Sequence, residues 1–210
     1  MSYRFLKIAT TPSVRAAQEA NGVRGNWPDD VDASDPQPLT PSEAQFIAQR
    51  DSFYLATVSE TGWPYMQHRG GPKGFLHVLD DRTLAFADFR GNRQYISVGN
   101  LSANDRAALF LMDYANRRRL KIYARLEAKD LRSDPELAAK LAMPGYKARI
   151  ERAFLVHVQA FNWNCPQHIT PRFSEVELEH ALGPVRLHLE KLQAENKALR
   201  EQLARHGEKP

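Results

Sequence analysis

Between residues 53 and 161 the chain alternates short β-prone runs with tight turns and leaves little room for helices. This pattern restricts the accessible folds more than any other feature. Residues 53–58 are apolar, aromatic and β-branched, Glu60, Thr61 and Gly62 form a turn, and residues 64–69 return. Residues 75–79 and 83–87 flank the compact turn Asp80-Asp81-Arg82, and residues 107–114 and 119–128 make two longer strands. In the second of these, Leu120, Ile122, Ala124 and Leu126 alternate with Lys121, Tyr123, Arg125 and Glu127, so one face is buried and the other meets water or a ligand. Residues 154–161 are the last strand. This many short strands predict a closed antiparallel sheet with flanking helices, that is, a small β-barrel of the α+β class.

The helices announce themselves by their starts. Thr40 caps, Pro41 sits at the first helical position and Glu43 completes a capping box, opening a helix to about Asp51. Ser133-Asp134-Pro135-Glu136 reads the same way, with a helix to about Leu141, and residues 92–101 read as a short helix after Gly91. Residues 20–40, rich in Gly, Pro, Asp and Asn, read as an irregular surface loop. The expected organisation is an N-terminal extension and loop over 1–40, a barrel over 41–175 and a helical tail over 176–210.

A chain of 210 residues, 42% hydrophobic and 26% charged, can build one core plus an appendage. No apolar run approaches the roughly 20 residues that cross a bilayer, so no membrane partner is expected. The opening residues lack a long apolar segment of the secretory type. The single cysteine, Cys165, excludes an internal disulfide framework, and the expected location is the reducing cytoplasm. A net charge of +4 favours an anionic ligand without requiring nucleic acid.

In the tail, Leu182, Val185, Leu189, Leu192, Asn196, Leu199 and Leu203 follow an alternating spacing of three and four. That is a heptad series with Asn196 at an a position, where paired amides favour a parallel dimer. Glu195 at g and Arg200 at the next e can pair across helices. The alternative is that this stripe packs on the chain's own barrel.

Four polar clusters are candidates for chemistry. Gln67, His68, Arg69, Gly70 and Gly71 precede Pro72-Lys73-Gly74; the glycines permit close backbone approach and Arg69 can fork onto phosphate oxygens, although an ordinary glycine-rich loop would read alike. Asn92, Arg93 and Gln94 open the expected helix at 92, either as an anion site or as a simple cap. Residues 116–121, with three consecutive arginines, raise nucleic-acid binding, but the patch is short and flanked by acidic residues. We therefore expect no nucleic-acid partner; these arginines pair with carboxylates or line a pocket. Residues 163–173 hold two prolines and the Cys165/His168 pair. One cysteine with scattered histidines does not make a zinc site, so no metal is expected. Trp163, Gln167 and Arg172 are better suited to covering a flat ligand. There is no phosphate loop of the Walker type, no Rossmann fingerprint and no nucleophile elbow.

Taken together, residues 53–101, then 109–128, then Trp163-Asn164-Cys165-Pro166-Gln167-His168 resemble the pyridoxamine 5'-phosphate oxidase-like family of FMN-binding split β-barrels, in the branch with Gln-His-Arg-Gly-Gly-Pro and Asn-Cys-Pro-Gln-His loops. The likeness runs in order over about residues 10–175. It implies a split antiparallel barrel, a homodimer with FMN in interface clefts, and a phosphate held by residues 67–71 and 92–94. Ser97 and Asn100, one and two helical turns further on, would also face the flavin. The implied function is an FMN-dependent oxidoreductase moving hydride or electrons between a reduced donor and a small substrate or oxygen; a non-catalytic FMN-binding protein is the alternative. In the true oxidases the second segment reads Ser-Arg-Lys, whereas here it is Asn92-Arg93-Gln94, and the family's terminal Arg/His substrate segment is replaced by the Cys-Pro-Gln-His loop and the tail. Both departures point away from vitamin B6 oxidation. The catalytic acid or base is left open.

Overall fold

The computed structural model describes residues 3–26, 35–163, 166–205 and 207. Its central element is one antiparallel sheet of seven strands: β1 (Ser52–Val58), β2 (Pro64–Gly70), β3 (His77–Val78), β4 (Thr83–Phe89), β5 (Arg106–Asp113), β6 (Arg118–Lys129) and β7 (Ile150–Trp163). Their order is β2-β1-β5-β6-β7-β4-β3.

The sheet curls because one face of nearly every strand is apolar and must be buried. Phe53 of β1 meets Phe86 of β4 edge-on at 5.2 Å, and Phe86 stacks on Phe154 of β7 at 5.1 Å. In the hydrogen-bonded order, β1 and β4 are separated by three strands, so this contact requires the sheet to close over its interior. Leu55, Leu109, Leu120, Ile122, Phe154 and Val156 complete that core. On β6, Leu120, Ile122, Ala124 and Leu126 point inward, as the alternation predicts. The result is the expected split β-barrel with flanking helices, together with a long C-terminal helix.

Local differences from the sequence reading have identifiable causes. The strand expected over 75–79 shrinks to His77–Val78, because Phe75 and Leu76 turn into the core instead. The last strand begins at Ile150, four residues earlier than expected, because the charged Arg152 pairs with Asp88 of β4 and Ile150 with Phe89, with Glu151 skipped at the register shift. The helix at Pro41–Ala48 (α3) has the predicted capping box, with Thr40 and Glu43 bonded reciprocally. The helix near 135 (α5, Pro135–Lys140) is capped by Asp134 rather than Ser133, since the Asp134 carboxylate accepts from the Leu137 N–H at 2.9 Å.

Two N-terminal helices, α1 (Tyr3–Ala9) and α2 (Pro12–Ala20), stand where no element was expected. Phe5 of α1 stacks on Tyr123 at 4.5 Å, and the Lys121 ammonium sits 4.8 Å from the same ring. The irregular loop expected over 20–40 includes residues 27–34, which lie outside the described residues, as do Asn164 and Cys165.

The chain divides into two compact units, 1–169 and 170–210. The second is the helix α6 (Glu175–Arg205), 31 residues long. Ser174 and Glu177 form its capping box: the Ser174 N–H donates to the Glu177 carboxylate at 2.8 Å, and the Glu177 N–H donates back to the Ser174 hydroxyl at 3.3 Å. No described helix is long and apolar enough to cross a membrane.

Candidate functional site

Period-two geometry splits the Gln67–Gly71 cluster. On β2, Tyr65, Gln67 and Arg69 point to one side and line a cleft, while Met66 and His68 point to the other. His68 lies edge-on to Tyr54 at 5.7 Å. The Gly71 N–H donates to the Asp51 carbonyl at 2.9 Å, and a Cβ at Gly71 would fall 2.8 Å from the Phe75 ring. Glycine is therefore required there by close packing. A Cβ at Gly70 would press on His68 at 3.1 Å.

The cleft's far wall is the segment between β4 and α4 (Ile96–Ala103). The helix expected from residue 92 begins at Ile96. The Asn92 side chain captures the Gln94 N–H at 3.2 Å, a local turn that competes with helix. Arg93 and Tyr95 both adopt left-handed backbone, with φ of 63° and 53°. Non-glycine residues in that region carry a cost of about 1–3 kcal/mol, and such costs concentrate at functional sites. Tyr95 is the N-cap residue and makes no side-chain capping bond, so the first amides of α4 have no side-chain acceptor. The Tyr95 hydroxyl instead donates to Glu151 at 3.2 Å and accepts from Arg93 Nε at 3.4 Å.

The floor of the cleft holds an ion cluster that the sequence reading missed. Arg69 Nη1 donates to Asp88 Oδ1 at 2.7 Å. Arg152 Nε lies 3.3 Å from Asp88 Oδ2, and its guanidinium sits 5.0 Å from the Tyr95 ring. The cluster therefore joins β2, β4 and β7 across the split, at a register shift between Asp88 and Phe89. Burial pushes the Asp88 carboxyl above the usual carboxylate range, even though the charges of Arg69 and Arg152 pull it down. The Nε groups of both arginines are buried without a hydrogen-bond acceptor. Arg69 and Arg93 line the cleft beside a helix N-terminus, a combination chemically suited to an anion.

Ser97 and Asn100 are buried and position α4. The Ser97 hydroxyl donates to Gln67 Oε1 at 3.2 Å, and the Asn100 amide donates to Thr57 Oγ1 at 2.9 Å. The cleft therefore gathers Gln67, Arg69, Asn92, Arg93, Gln94 and Ser97, with Asp88, Tyr95 and Glu151 as additions; Arg152 stands behind this lining, against Asp88. The signal for Arg152 was present in the sequence: a charged pair, Glu151-Arg152, directly preceding a strand run.

Trp163 and Gln167 are not in this cleft. Trp163 is eleven residues along β7 from Arg152, roughly 35 Å at a strand's rise. Its Nε1 donates to Glu43 at 2.5 Å, its ring meets Phe46 edge-on at 4.7 Å, and the Arg118 guanidinium lies 4.6 Å from it. Gln167 is exposed. Burial raises the Glu43 carboxyl, but hydrogen bonds from Thr40 and Trp163 outweigh this and hold it below the ordinary glutamate range. Within the arginine-rich 116–121 segment, Arg118 and Lys121 cover aromatic rings. Among the described residues, no group of three or more His, Cys, Asp or Glu could hold a metal ion.

No curated protein is significantly similar in sequence. Among solved structures, an FMN-binding protein from Syntrophomonas wolfei is 16% identical, with a TM-score of 0.45 over 58% of this chain and 83% of that one. A protein related to general stress protein 26, of the pyridoxinephosphate oxidase family, from Clostridium acetobutylicum is 16% identical, with a TM-score of 0.45 over 65% of this chain and 94% of that one. HupZ from Group A Streptococcus is 15% identical, with a TM-score of 0.45 over 64% and 100%. The pyridoxamine 5'-phosphate oxidase family model matches residues 39–164, well over half of the sequence, and the chain belongs to that family.

Proposed function

We propose that this protein is a cytoplasmic homodimer that binds FMN and works as an FMN-dependent oxidoreductase on a small substrate. The observation that carries the reading is the cleft's cationic lining: Arg69, which shares the buried Asp88 carboxylate with Arg152, and Arg93 stand at the uncapped start of α4. That donor set fits a phosphate monoester. When bound, the flavin supplies hydride and electron transfer. The chain's part is to hold and orient it. Arg69, Arg93 and Arg152 grip the phosphate, Asn92 and Gln94 supply polar contacts, and Gln67, tied to Ser97, fixes the wall. In one chain Trp163 and Gln167 are too distant to cover the same ligand, which favours a partner subunit as their source.

The test is the absorption spectrum of the purified protein, with the released chromophore identified, followed by steady-state turnover with NADH or NADPH and an acceptor. Bound FMN with turnover supports the oxidoreductase. Bound FMN without turnover across a donor panel supports the alternative, a non-catalytic flavin-binding module. Protein that takes up no FMN from excess refutes both.

A further inference from the structure

We propose that α6 is one strand of a parallel, in-register two-stranded coiled coil whose partner is the same helix of a second copy of this chain. The proposal does not rest on the flavin reading. No residue of α6 is buried, and Leu182, Val185, Leu189, Leu192, Leu199 and Leu203 are 38–59% exposed. They fall at a and d of an unbroken heptad, with Asn196 at a. Helical spacing puts them in a single narrow stripe. Pro184 lies inside the helix and has no N–H to donate, which disfavours close pairing at that turn, so the paired region is residues 185–205, three heptads.

The stripe is complementary to itself, and in one orientation only. In a parallel pair Asn196 faces its own copy, so each amide donates to and accepts from the other. Glu195 at g then lies against Arg200 at e of the second chain, twice per dimer. In an antiparallel pair a positions meet d positions, so Asn196 faces a valine or leucine and its amide is left unsatisfied. Arg186 and Arg200, both at e, then meet as like charges. The Lys191–Glu195 pair, 4.0 Å apart on successive turns, supports the single helix in either case.

Cross-linking tests this on the full chain. Cys165→Ser removes the only native thiol. Into that background go Leu199→Cys, at a d position, or Lys197→Cys, on the opposite face. After mild oxidation at low micromolar concentration, Leu199→Cys should run almost wholly as a covalent dimer and Lys197→Cys as a monomer. Parallel register brings equivalent d positions together, whereas an antiparallel pairing sets Leu199 against an a position and keeps the two cysteines apart. No link at Leu199, or equal linking of both variants, overturns the proposal. A second measurement keeps the native cysteine: Glu195→Arg should lower the melting temperature of the helical signal at 222 nm, and adding Arg200→Glu should restore it. Residues 195 and 200 are not neighbours on one helix, so rescue reports a contact between helices, and equal melting of the single and double variants overturns it.

Discussion

Arg152 can be replaced by methionine, which keeps much of the apolar stem and removes the guanidinium. The barrel should stay folded, because Asp88 retains Arg69 at 2.7 Å and its carboxylate is not left alone. The expected loss lies in anion binding. Arg152 Nε lies 3.3 Å from Asp88 Oδ2 but outside hydrogen-bond geometry, so a phosphate can compete for that donor. One charge-assisted hydrogen bond is worth about 1.5–3 kcal/mol, or roughly a 10- to 150-fold weaker Kd. The assay is quenching of flavin fluorescence, with FMN and riboflavin titrated side by side on the natural chain and the variant. Riboflavin has the same ring and lacks the phosphate. FMN affinity should therefore fall by that factor while riboflavin affinity stays constant, with circular dichroism confirming an unchanged fold. An equal loss for both ligands would place Arg152 in the scaffold and not on the phosphate, and no loss for either would remove it from the site.

Arg93→Ala should weaken FMN binding by less than Arg152→Met, because Arg93 is exposed and its charge is screened by water; unchanged affinity in the same titration would take it off the phosphate. Glu43→Gln should destabilise the fold by about 1–3 kcal/mol in urea unfolding at neutral pH, since the buried carboxylate accepts from Thr40 and Trp163. The folded carboxyl titrates below its unfolded value, so its stabilisation is present above about pH 4.5 and fades as the pH falls through the folded value. The natural chain should lose that increment on acidification and the glutamine variant should not, so parallel acid profiles would contradict the assignment. Asn196→Leu should change the oligomeric state or register of the tail, read as a shifted mass by light scattering. Deleting residues 184–210 should leave FMN affinity unchanged, and complete loss of binding would make the tail part of the barrel fold.

Periodicity in the sequence was enough for the barrel. Alternation on β6, turns at Gly62 and at Asp80-Asp81-Arg82, and the Thr40 capping box are local signals, and each is legible because the interactions that enforce it lie within a few residues of one another. The heptad register of α6 is legible for the same reason. Where the sequence reading stopped short, a distant partner decided. The strand at 75–79 contracted because Phe75 and Leu76 are drawn into a core built by β1 and β4. The helix at 92 started late because Arg93, Tyr95 and Glu151 form a contact spanning more than fifty residues.

The site divides along the same line. Gln67, Arg69 and Arg93 could be nominated from the sequence because they sit in short polar clusters at strand ends, whereas Ser97 came only from the family resemblance. That Arg69 and Gln67 face the cleft while His68 faces away follows from the strand's period of two once its ends are known. The sequence by itself determined the strand alternation, the helix caps and the heptad spacing of α6, all set by neighbours along the chain. Only the tertiary structure decided that Arg69, Asp88 and Arg152, from three different strands, meet at the floor of one cleft. Closing the sheet is what carries those charges out of water together, and no local sequence rule encodes that closure.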